Sequence, residues 1–418
     1  MTRSEEQRRV VIVGAGHGGA NAAALLRQSG YDGQVVLIGD EPELPYDRPP
    51  LSKDYLIGKV ERDEISLFPE DFYQEQGVTI RTAERVVAVD PAAGCVVLDP
   101  GETIYYDQLI LATGAAARTL PVPGNDLTGI HTLRTAADAR AVRSIMRPGV
   151  RIAIVGGGYI GLEVAASAAL RGAQATVLER ESRILARVAS PTLSEFLTRH
   201  HSAQGVSVRH SVHIAAFEGD AAGRVVVVRL SDGEAIPCDA VLVGVGAVPR
   251  DELAVAAGLR CDNGVLVDPN ARTSVPSIYA IGDVTRRPLH YRDGSFRLES
   301  IPSALEQARR AVAAILGAPE PRPEIPWFWS DQFDLKLQIA GLLDDAERTV
   351  VRGDPSAPKF AVFHLKGARI RAVEAVNSPG EFMMGRRLME RAIDIDPGRL
   401  ADESVPLRQL VARTPTVP

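Results

Sequence analysis

The sequence predicts an α/β fold with two successive βαβ units and a small α+β region at the C-terminus. A segment near the N-terminus recurs later in the chain, with strand, glycine-rich turn and helix in the same order. Each copy runs on into a second β-branched strand, as in a parallel sheet. Beyond a proline-rich stretch, apolar and polar residues alternate in short runs that are typical of antiparallel strands.

Length and composition exclude several classes of protein. The chain has 418 residues, 45% hydrophobic and 24% charged, so it has room for two to three domains with large cores. No apolar run approaches the roughly 20 residues that span a bilayer, and residues 1–9 contain no apolar signal segment. We therefore expect a cytoplasmic protein that does not associate with membranes. A net charge of −6 argues against nucleic acid as a general partner.

The repeated segment spans residues 9–19 and 151–161, at a constant spacing of 142 residues. Val10–Val13 and Ile152–Val155 are short β-branched runs that enter glycine turns directly, as buried parallel strands do. An alanine-rich helical stretch and a second apolar strand follow each turn. Both copies are therefore predicted to be βαβ units.

Each turn has the spacing G-x-G-x-x-G. In such a loop the first glycine permits a tight turn, the second lets the backbone approach a pyrophosphate, and the third lets the helix pack on the strand. The phosphates then lie at the helix N-terminus. Two copies in matching βαβ contexts predict two Rossmann-type dinucleotide sites. The candidate phosphate-binding glycines are Gly14, Gly16, Gly18 and Gly19 in the first loop and Gly156, Gly158 and Gly161 in the second.

Acidic residues at the end of the second strand of each unit are candidate ribose ligands. In the second unit this residue is Glu179, which favours NADH because a carboxylate repels the extra phosphate of NADPH, although Arg180 and Arg183 nearby weaken that preference. In the first unit a glycine occupies the aligned position, so that Asp40 or Glu41 must serve, and we favour Asp40.

Small-residue turns follow a third apolar strand in each unit, where the backbone can lie against a cofactor. The first is Ala112-Thr113-Gly114, the second contains Gly246, and a later Tyr-Ala-Ile-Gly-Asp run ends at Asp283. Together with the two glycine loops, these motifs resemble the two-dinucleotide-domain flavoprotein reductases of glutathione reductase-like fold. The resemblance covers nearly the whole chain, and it implies that the first unit holds FAD, the second holds NAD(P)H, and Asp283 binds the flavin ribityl chain.

The same resemblance implies domain limits. Residues 1–120 and 250–324 would form a discontinuous FAD-binding domain, residues 121–249 an NAD-binding domain, and residues 325–418 a C-terminal α+β domain. In the C-terminal domain we predict strands and one helix. The strands are Leu335–Leu342, Thr349–Arg352, Lys359–Leu365 and Arg369–Val376, and the helix is Glu381–Arg391.

The number and positions of the cysteines indicate which subfamily the chain resembles. Dithiol members of the family carry a cysteine pair shortly after the first unit, where this chain has Pro-Tyr-Asp-Arg-Pro-Pro-Leu-Ser-Lys at residues 45–53. The three cysteines, Cys95, Cys238 and Cys261, are too far apart for a local redox pair. This excludes disulfide reduction, and no metal site is predicted. The 45–53 segment resembles that of NADH-dependent ferredoxin, rubredoxin and putidaredoxin reductases, which serve oxygenases and cytochromes P450.

The resemblance also assigns roles to single residues. Lys53 would lie near flavin N5 and pair with Glu163, and Tyr159 would cover the nicotinamide side of the flavin and move aside for NADH. In the alternative interpretation, the charged pair only joins two parts of the fold and Tyr159 is a packing residue. Further FAD contacts are implied at Arg48, Val86, Arg134 and Ile301.

These observations lead to a functional hypothesis. NADH delivers two electrons as a hydride, whereas an iron–sulfur cluster accepts one at a time, and the chain lacks the cysteine ligands of such a cluster. The leading prediction is an FAD-dependent NADH:ferredoxin oxidoreductase whose partner is a 2Fe-2S ferredoxin serving a cytochrome P450 or oxygenase. The ferredoxin would dock transiently at Arg309, Arg310 and the Trp329 region. The alternatives are a rubredoxin reductase and an NADH-sensing flavoprotein similar to apoptosis-inducing factor.

Overall fold

The structure is a computed structural model, and it describes residues 8–411. The α-helices are α1 (His17–Gln28), α2 (Asp54–Ile57), α3 (Phe72–Glu75), α4 (Ala136–Ile145), α5 (Tyr159–Leu170), α6 (Pro191–Ala203), α7 (Glu252–Ala256), α8 (Ile301–Leu316), α9 (Pro379–Glu390), α10 (Pro397–Ala401) and α11 (Leu407–Val411). Residues 1–7, where the sequence shows no signal segment, lie outside the described part of the chain.

The strands of the first half of the chain are β1 (Arg9–Val13), β2 (Gln34–Ile38), β3 (Val78–Arg81), β4 (Val86–Asp90), β5 (Cys95–Leu98), β6 (Thr103–Tyr105), β7 (Gln108–Leu111), β8 (Ala115–Ala117), β9 (Ile130–His131), β10 (Arg151–Val155), β11 (Gln174–Leu178) and β12 (Ser207–Arg209). Those that follow are β13 (Ile214–Gly219), β14 (Val225–Leu230), β15 (Ala235–Pro237), β16 (Ala240–Val243), β17 (Ala247–Pro249), β18 (Val265–Leu266), β19 (Ile278–Ala280), β20 (Thr285–Leu289), β21 (Arg292–Phe296), β22 (Trp327–Gln332), β23 (Leu335–Gly341), β24 (Arg348–Asp354), β25 (Lys359–Lys366) and β26 (Arg369–Val376).

Two parallel sheets form the framework, and each grows from one copy of the repeat. The first has the strand order β19-β7-β1-β2-β3 and the second has the order β12-β11-β10-β16-β9. Their central strands, β1 and β10, are buried on both faces, which explains why both read as continuous apolar runs. In each sheet the strand order reverses beside the central strand, and the carboxyl ends there are where open α/β sheets bind ligands.

The described residues divide into two compact units. The N-terminal unit contains the described part of Met1–Asp47 together with Arg62–Ala116 and Ala247–Glu324. The C-terminal unit contains Arg48–Glu61, Ala117–Gly246 and the described part of Ile325–Pro418. The predicted three-domain limits stay a prediction, because this division separates Arg48–Glu61 from the rest of residues 1–120 and groups residues 325–411 with the second βαβ unit.

The C-terminal region is a five-stranded antiparallel sheet of order β22-β23-β26-β25-β24, with α9 packed against β26. The predicted strands all occur, and the predicted helix begins two residues earlier, at Pro379, where proline is suited to the first turn. β22 was not predicted as a strand. Among residues 8–411 we find no helix with the length and apolar character needed to cross a membrane.

Candidate functional site

The first glycine loop leaves the carboxyl end of β1 and starts α1. Gly14 has a φ of +112°, and a Cβ there would collide with the carbonyl of Ala112, so that only glycine fits. A Cβ on Gly19 would collide with the carbonyl of Gly14. Gly16 is the N-cap of α1, no side chain caps the helix, and its first turn has no acidic residue. This N-terminus therefore fits a phosphate group.

Other predicted FAD-binding residues gather at the same sheet edge. The hydroxyl of Thr113 donates to the carbonyl of Arg250 (2.7 Å), and the backbone N–H of Arg250 donates to the carbonyl of Gly114 (2.9 Å). The Arg250 guanidinium also pairs with Asp40 (3.0 Å), which follows β2. Asp283 follows β19, the strand beside β7. Since these strands are parallel, the ends that carry the predicted residues meet at one edge.

Val86 and Ile301 belong to the same N-terminal unit but have different environments. Val86 is 6% exposed and packs in the apolar core under the three-stranded sheet β4-β5-β6. Ile301 is the first residue of α8 and is partly buried. The predicted FAD contacts of both side chains remain a prediction.

The second glycine loop repeats the geometry of the first. Gly156 has a φ of +106°, and a Cβ there would collide with the carbonyl of Gly244, while a Cβ on Gly161 would collide with the carbonyl of Gly156. Gly158 is the N-cap of α5, and a Cβ built on it meets nothing within 4 Å. The space over this helix N-terminus is therefore open to a dinucleotide pyrophosphate.

Glu179 stands beside this loop. Its carboxylate accepts hydrogen bonds from the backbone N–H groups of Gly157 (2.6 Å) and Glu181 (2.8 Å). Arg180 is ion-paired with Glu181 (2.8 Å). Arg183 turns into the fold, where its guanidinium donates to three acceptors: the carbonyls of Ala186 and Ala189 and the hydroxyl of Ser194. Gly246, at the end of the third strand, has a φ of +105°.

Lys53 and Glu163 form a buried ion pair in the C-terminal unit. Their Nζ and Oε2 atoms are 2.8 Å apart, and the side chains are 14% and 3% exposed. The hydroxyl of Ser52 donates to Oε2 (2.5 Å), and the hydroxyl of Ser330 donates to Oε1 (2.6 Å). Three donors therefore hold the carboxylate, and neither serine was predicted from the sequence.

Helix α5 fixes the segment that carries Lys53. Glu163, Ser167 and Arg171 are spaced four residues apart and form a polar stripe on one helix face. The hydroxyl of Ser167 donates to the carbonyl of Ser52 (2.7 Å), and Arg171 donates to the carbonyl of Ile57 (3.0 Å). The stripe explains why Arg48–Glu61 belongs to the C-terminal unit. At the start of the segment, the Arg48 guanidinium donates to the carbonyl of Arg134 (2.6 Å), which brings these two predicted residues together.

Tyr159 is the first residue of α5. Its ring is partly exposed and packs edge-on against Phe328, with ring centroids 4.9 Å apart. Its hydroxyl is buried and has no hydrogen-bond partner among the described residues. This burial, together with the nearby carboxylates of Glu374 and Glu163, raises the pKa of Tyr159 well above its ordinary value. The phenol is therefore neutral, and Tyr159 supplies an apolar ring rather than a proton.

The predicted docking residues differ in exposure. Arg310 is 4% exposed, and its guanidinium pairs with Glu306 and Glu320, both at 2.6 Å. It therefore presents no charge to a partner, a correction that the i, i+4 spacing of Glu306 and Arg310 explains. Arg309 is 39% exposed and pairs with Glu324. In the C-terminal unit Trp329 is partly exposed on β22.

No group of three or more His, Cys, Asp or Glu side chains between residues 8 and 411 is arranged to hold a metal ion. Cys95 and Cys238 are buried, Cys261 is partly buried, and all three are free thiols. Burial raises the pKa of Cys238 to about 11, so this thiol is not a reactive thiolate at neutral pH.

Known proteins are similar to this chain over nearly its full length. Residues 8–308 match the pyridine nucleotide-disulphide oxidoreductase family, and residues 327–411 match the reductase C-terminal family. A probable ferredoxin reductase of Castellaniella defragrans is 47% identical, over 96% of this chain and 98% of its own. Putidaredoxin reductase of Pseudomonas putida is 40% identical, over 96% of each chain.

A solved structure gives the same result. The covalent putidaredoxin reductase–putidaredoxin complex matches with a TM-score of 0.95 and 39% identity, over 97% of this chain and 98% of that chain. These similarities confirm the predicted fold class and the predicted resemblance. The chain belongs to the pyridine nucleotide-disulphide oxidoreductase family, as an oxidoreductase of the ferredoxin reductase type whose cofactors are FAD and NAD(P)H.

Proposed function

We propose that the chain is an NADH:ferredoxin oxidoreductase that passes electrons one at a time to a 2Fe-2S ferredoxin serving a cytochrome P450 or an oxygenase. The observation that carries the proposal is the Lys53–Glu163 ion pair, because Lys53 belongs to the segment where dithiol members of the family carry cysteines. The free thiols of this chain offer no redox pair. The electrons must therefore leave for another protein.

The N-terminal unit would hold FAD, which accepts a hydride and gives up single electrons when bound. The first glycine loop would bind its pyrophosphate at the N-terminus of α1. Asp40 would bind the adenosine ribose, and Asp283 the ribityl chain. The backbone at Ala112–Gly114, held by Arg250, would lie against the cofactor.

The C-terminal unit would bind NADH rather than NADPH. The open N-terminus of α5 at Gly158 would accommodate its pyrophosphate, and Glu179, which stands beside this loop, would accept hydrogen bonds from the adenosine ribose. Since Arg183 is engaged within the fold and Arg180 is paired with Glu181, these arginines offer little to the extra phosphate of NADPH. Tyr159 would shield the flavin until the nicotinamide displaces it.

For the docking of an acidic ferredoxin we propose Arg309 and the Trp329 region. The Arg309 side chain is 39% exposed, and Trp329 is partly exposed. Complementary charge at such a surface speeds association and suits a short-lived complex. We further propose that the protein works in the cytoplasm, which cell fractionation with an antibody against the native chain would test.

The test is reconstitution with purified partners. We expect a yellow protein that NADH bleaches faster than NADPH, and that reduces cytochrome c only when a 2Fe-2S ferredoxin is added. Fast turnover without ferredoxin contradicts the proposal. Exchanging ferredoxin for rubredoxin in the same assay separates the rubredoxin reductase alternative. A long-lived NADH charge-transfer complex with little turnover would instead favour the NADH-sensing alternative.

A further inference from the structure

A line of buried polar side chains continues from Glu163 on the side away from Lys53. The amide Nε2 of Gln332 lies 3.0 Å from the hydroxyl oxygen of Ser330, and Nε2 of His201 lies 2.8 Å from Oε1 of Gln332. Ser330, Gln332 and His201 are each no more than 1% exposed. The line joins β22 to α6, and the function proposed above does not use it.

The chemistry of the groups fixes the direction of every hydrogen bond in the line. The Glu163 carboxylate only accepts, so the Ser330 hydroxyl must donate to it. The serine oxygen in turn accepts from the Gln332 amide N–H, which leaves the amide oxygen facing His201. Since that oxygen only accepts, His201 must carry a proton on Nε2. All three hydrogen bonds therefore donate in the direction of Glu163. The bond from Ser330 to Glu163 is strengthened by the negative charge of the carboxylate.

The protonation of His201 agrees with this direction. The pKa of His201 is lowered to about 4, chiefly by burial; the hydrogen bond with Gln332 opposes this lowering, and the neighbouring His200 adds to it. The Nδ1 atom of His201 is buried without a hydrogen-bond partner among the described residues. The imidazole is therefore neutral at working pH, with its one proton on Nε2.

We propose that His201, Gln332 and Ser330 are positioning residues that keep Glu163 ionised, with its Oε2 turned toward Lys53. The proposal rests on the proposed function in one respect, the placing of Lys53 beside the flavin. Reduction of a bound flavin adds negative charge, which would favour protonation of a nearby carboxylate. The hydrogen bonds directed toward Glu163 oppose its protonation. Lys53 therefore keeps a negatively charged partner and stays in place as an ammonium group.

The first experiment follows the histidine in the flavin-loaded protein. Nitrogen-15 NMR of histidine-labelled protein, with the His201 signal assigned from a His201→Gln variant, reports tautomer and charge between pH 5 and 9. We expect a neutral imidazole with its proton on Nε2 throughout. A charged ring above pH 6, or a proton on Nδ1, would overturn the proposal.

The second experiment counts protons at the flavin. The slope of the flavin midpoint potential against pH gives the protons taken up per two electrons, and we expect one in the unmodified protein. In Ser330→Ala and Gln332→Glu this number should rise toward two, because Glu163 loses its donor and, in the second variant, gains a neighbouring charge. Bleaching by NADH should slow by about tenfold, the effect of ~1.4 kcal/mol on the barrier.

Three further variants give the controls. Ser330→Thr keeps the hydroxyl and should behave as the unmodified protein, as should Gln338→Leu, which alters a partly exposed glutamine of β23. An unchanged proton count in both Ser330→Ala and Gln332→Glu overturns the proposal if Lys53→Met shifts the potential. If Lys53→Met leaves the potential unchanged as well, the placing of Lys53 beside the flavin is wrong, and the proposed function fails at that point instead.

Discussion

At the scale of single residues, the Lys53–Glu163 pair has a structural contribution and a proposed catalytic one, which single and double variants separate. Breaking a buried ion pair by removing one partner costs about 3–5 kcal/mol, whether or not the pair takes part in catalysis. Replacing both partners by apolar residues of similar size restores much of that stability. Stability and rate therefore need to be measured on the single and the double variants together.

We predict that Lys53→Met and Glu163→Leu each lower the melting temperature and slow flavin reduction by NADH at least tenfold. The double variant should recover most of the melting temperature but not the rate, because the charge near the flavin is still missing. Differential scanning fluorimetry and stopped-flow bleaching measure the two quantities. Recovery of both in the double variant would mean that the pair only joins two parts of the fold.

Glu179 is the residue that should decide between NADH and NADPH. We expect Glu179→Gln to lower kcat/KM for NADH by about 10-fold, since a lost charge-assisted hydrogen bond costs ~1.5 kcal/mol. The value for NADPH should stay constant or rise, because the repulsion of its extra phosphate is removed. Steady-state reduction of a dye acceptor supplies both values, with Glu195→Gln, an exposed glutamate of α6, as the matched control. An equal loss for both nucleotides would point to damage of the glycine loop through Gly157.

At the scale of elements, the turn after α10 is held by a buried arginine of β24. Arg352, on β24, is 6% exposed and donates to the carbonyls of Leu400, Asp402 and Val405 at 2.6–3.1 Å. These residues belong to α10 and the turn after it. Carbonyls from three residues of this segment therefore share one guanidinium as their donor.

We predict that Arg352→Met loosens the segment after residue 396 and lowers stability by about 2–3 kcal/mol, through carbonyls left without a donor. Limited proteolysis should cleave this segment faster, while the rate of flavin reduction by NADH stays unchanged. The control is Arg348→Met, an exposed arginine of the same strand whose guanidinium donates to the carbonyl of Gly367. Equal protease sensitivity of the two variants would show that Arg352 is not the anchor.

The helices and strands around the site also show which of its features can be predicted from the sequence and which cannot. The glycine loops and Glu179 were predictable because the chemistry of a βαβ turn depends on residues within about 20 positions of one another. The pairing of Lys53 with Glu163 was predicted only from the family resemblance, because 110 residues separate the two in the chain. Ser330, Gln332 and His201 gave no local signal, because their roles arise where β22 and α6 meet. The burial of Arg310 was missed, although the spacing to Glu306 indicated a helical ion pair.

At the scale of the whole molecule, His201 links stability to pH. Its pKa is about 4 in the folded protein, below the ordinary value of 6.5 that it regains on unfolding. Above pH 6.5 the imidazole is neutral in both states and has no effect. As the pH falls from 6.5 toward 4, only the unfolded chain takes up the proton, so folding weakens by about 1.4 kcal/mol per pH unit from this group.

We therefore predict a melting temperature that falls more steeply below pH 6.5 in the unmodified protein than in His201→Gln. The variant removes the titrating group and offers an amide donor to Gln332. Thermal unfolding followed by flavin fluorescence between pH 4.5 and 7.5 gives both curves, and the difference between them isolates His201 from the carboxylates that also titrate. Parallel curves would mean that His201 is charged in the fold or is not buried.

The stripe of Glu163, Ser167 and Arg171 on α5 has a practical consequence for chimeric reductases. Chimeras of this kind exchange the nucleotide-binding region between two relatives. If the chain is cut only near residues 117 and 246, α5 comes from one parent and the Lys53 segment that it holds comes from the other. The Lys53 segment of one parent would then face hydrogen-bond donors from the other parent. Grafts that carry Arg48–Glu61 and the region from Ile325 onward along with residues 117–246 keep the Lys53 segment, α5 and β22 from one parent, and recombined enzymes with these crossover points should remain active.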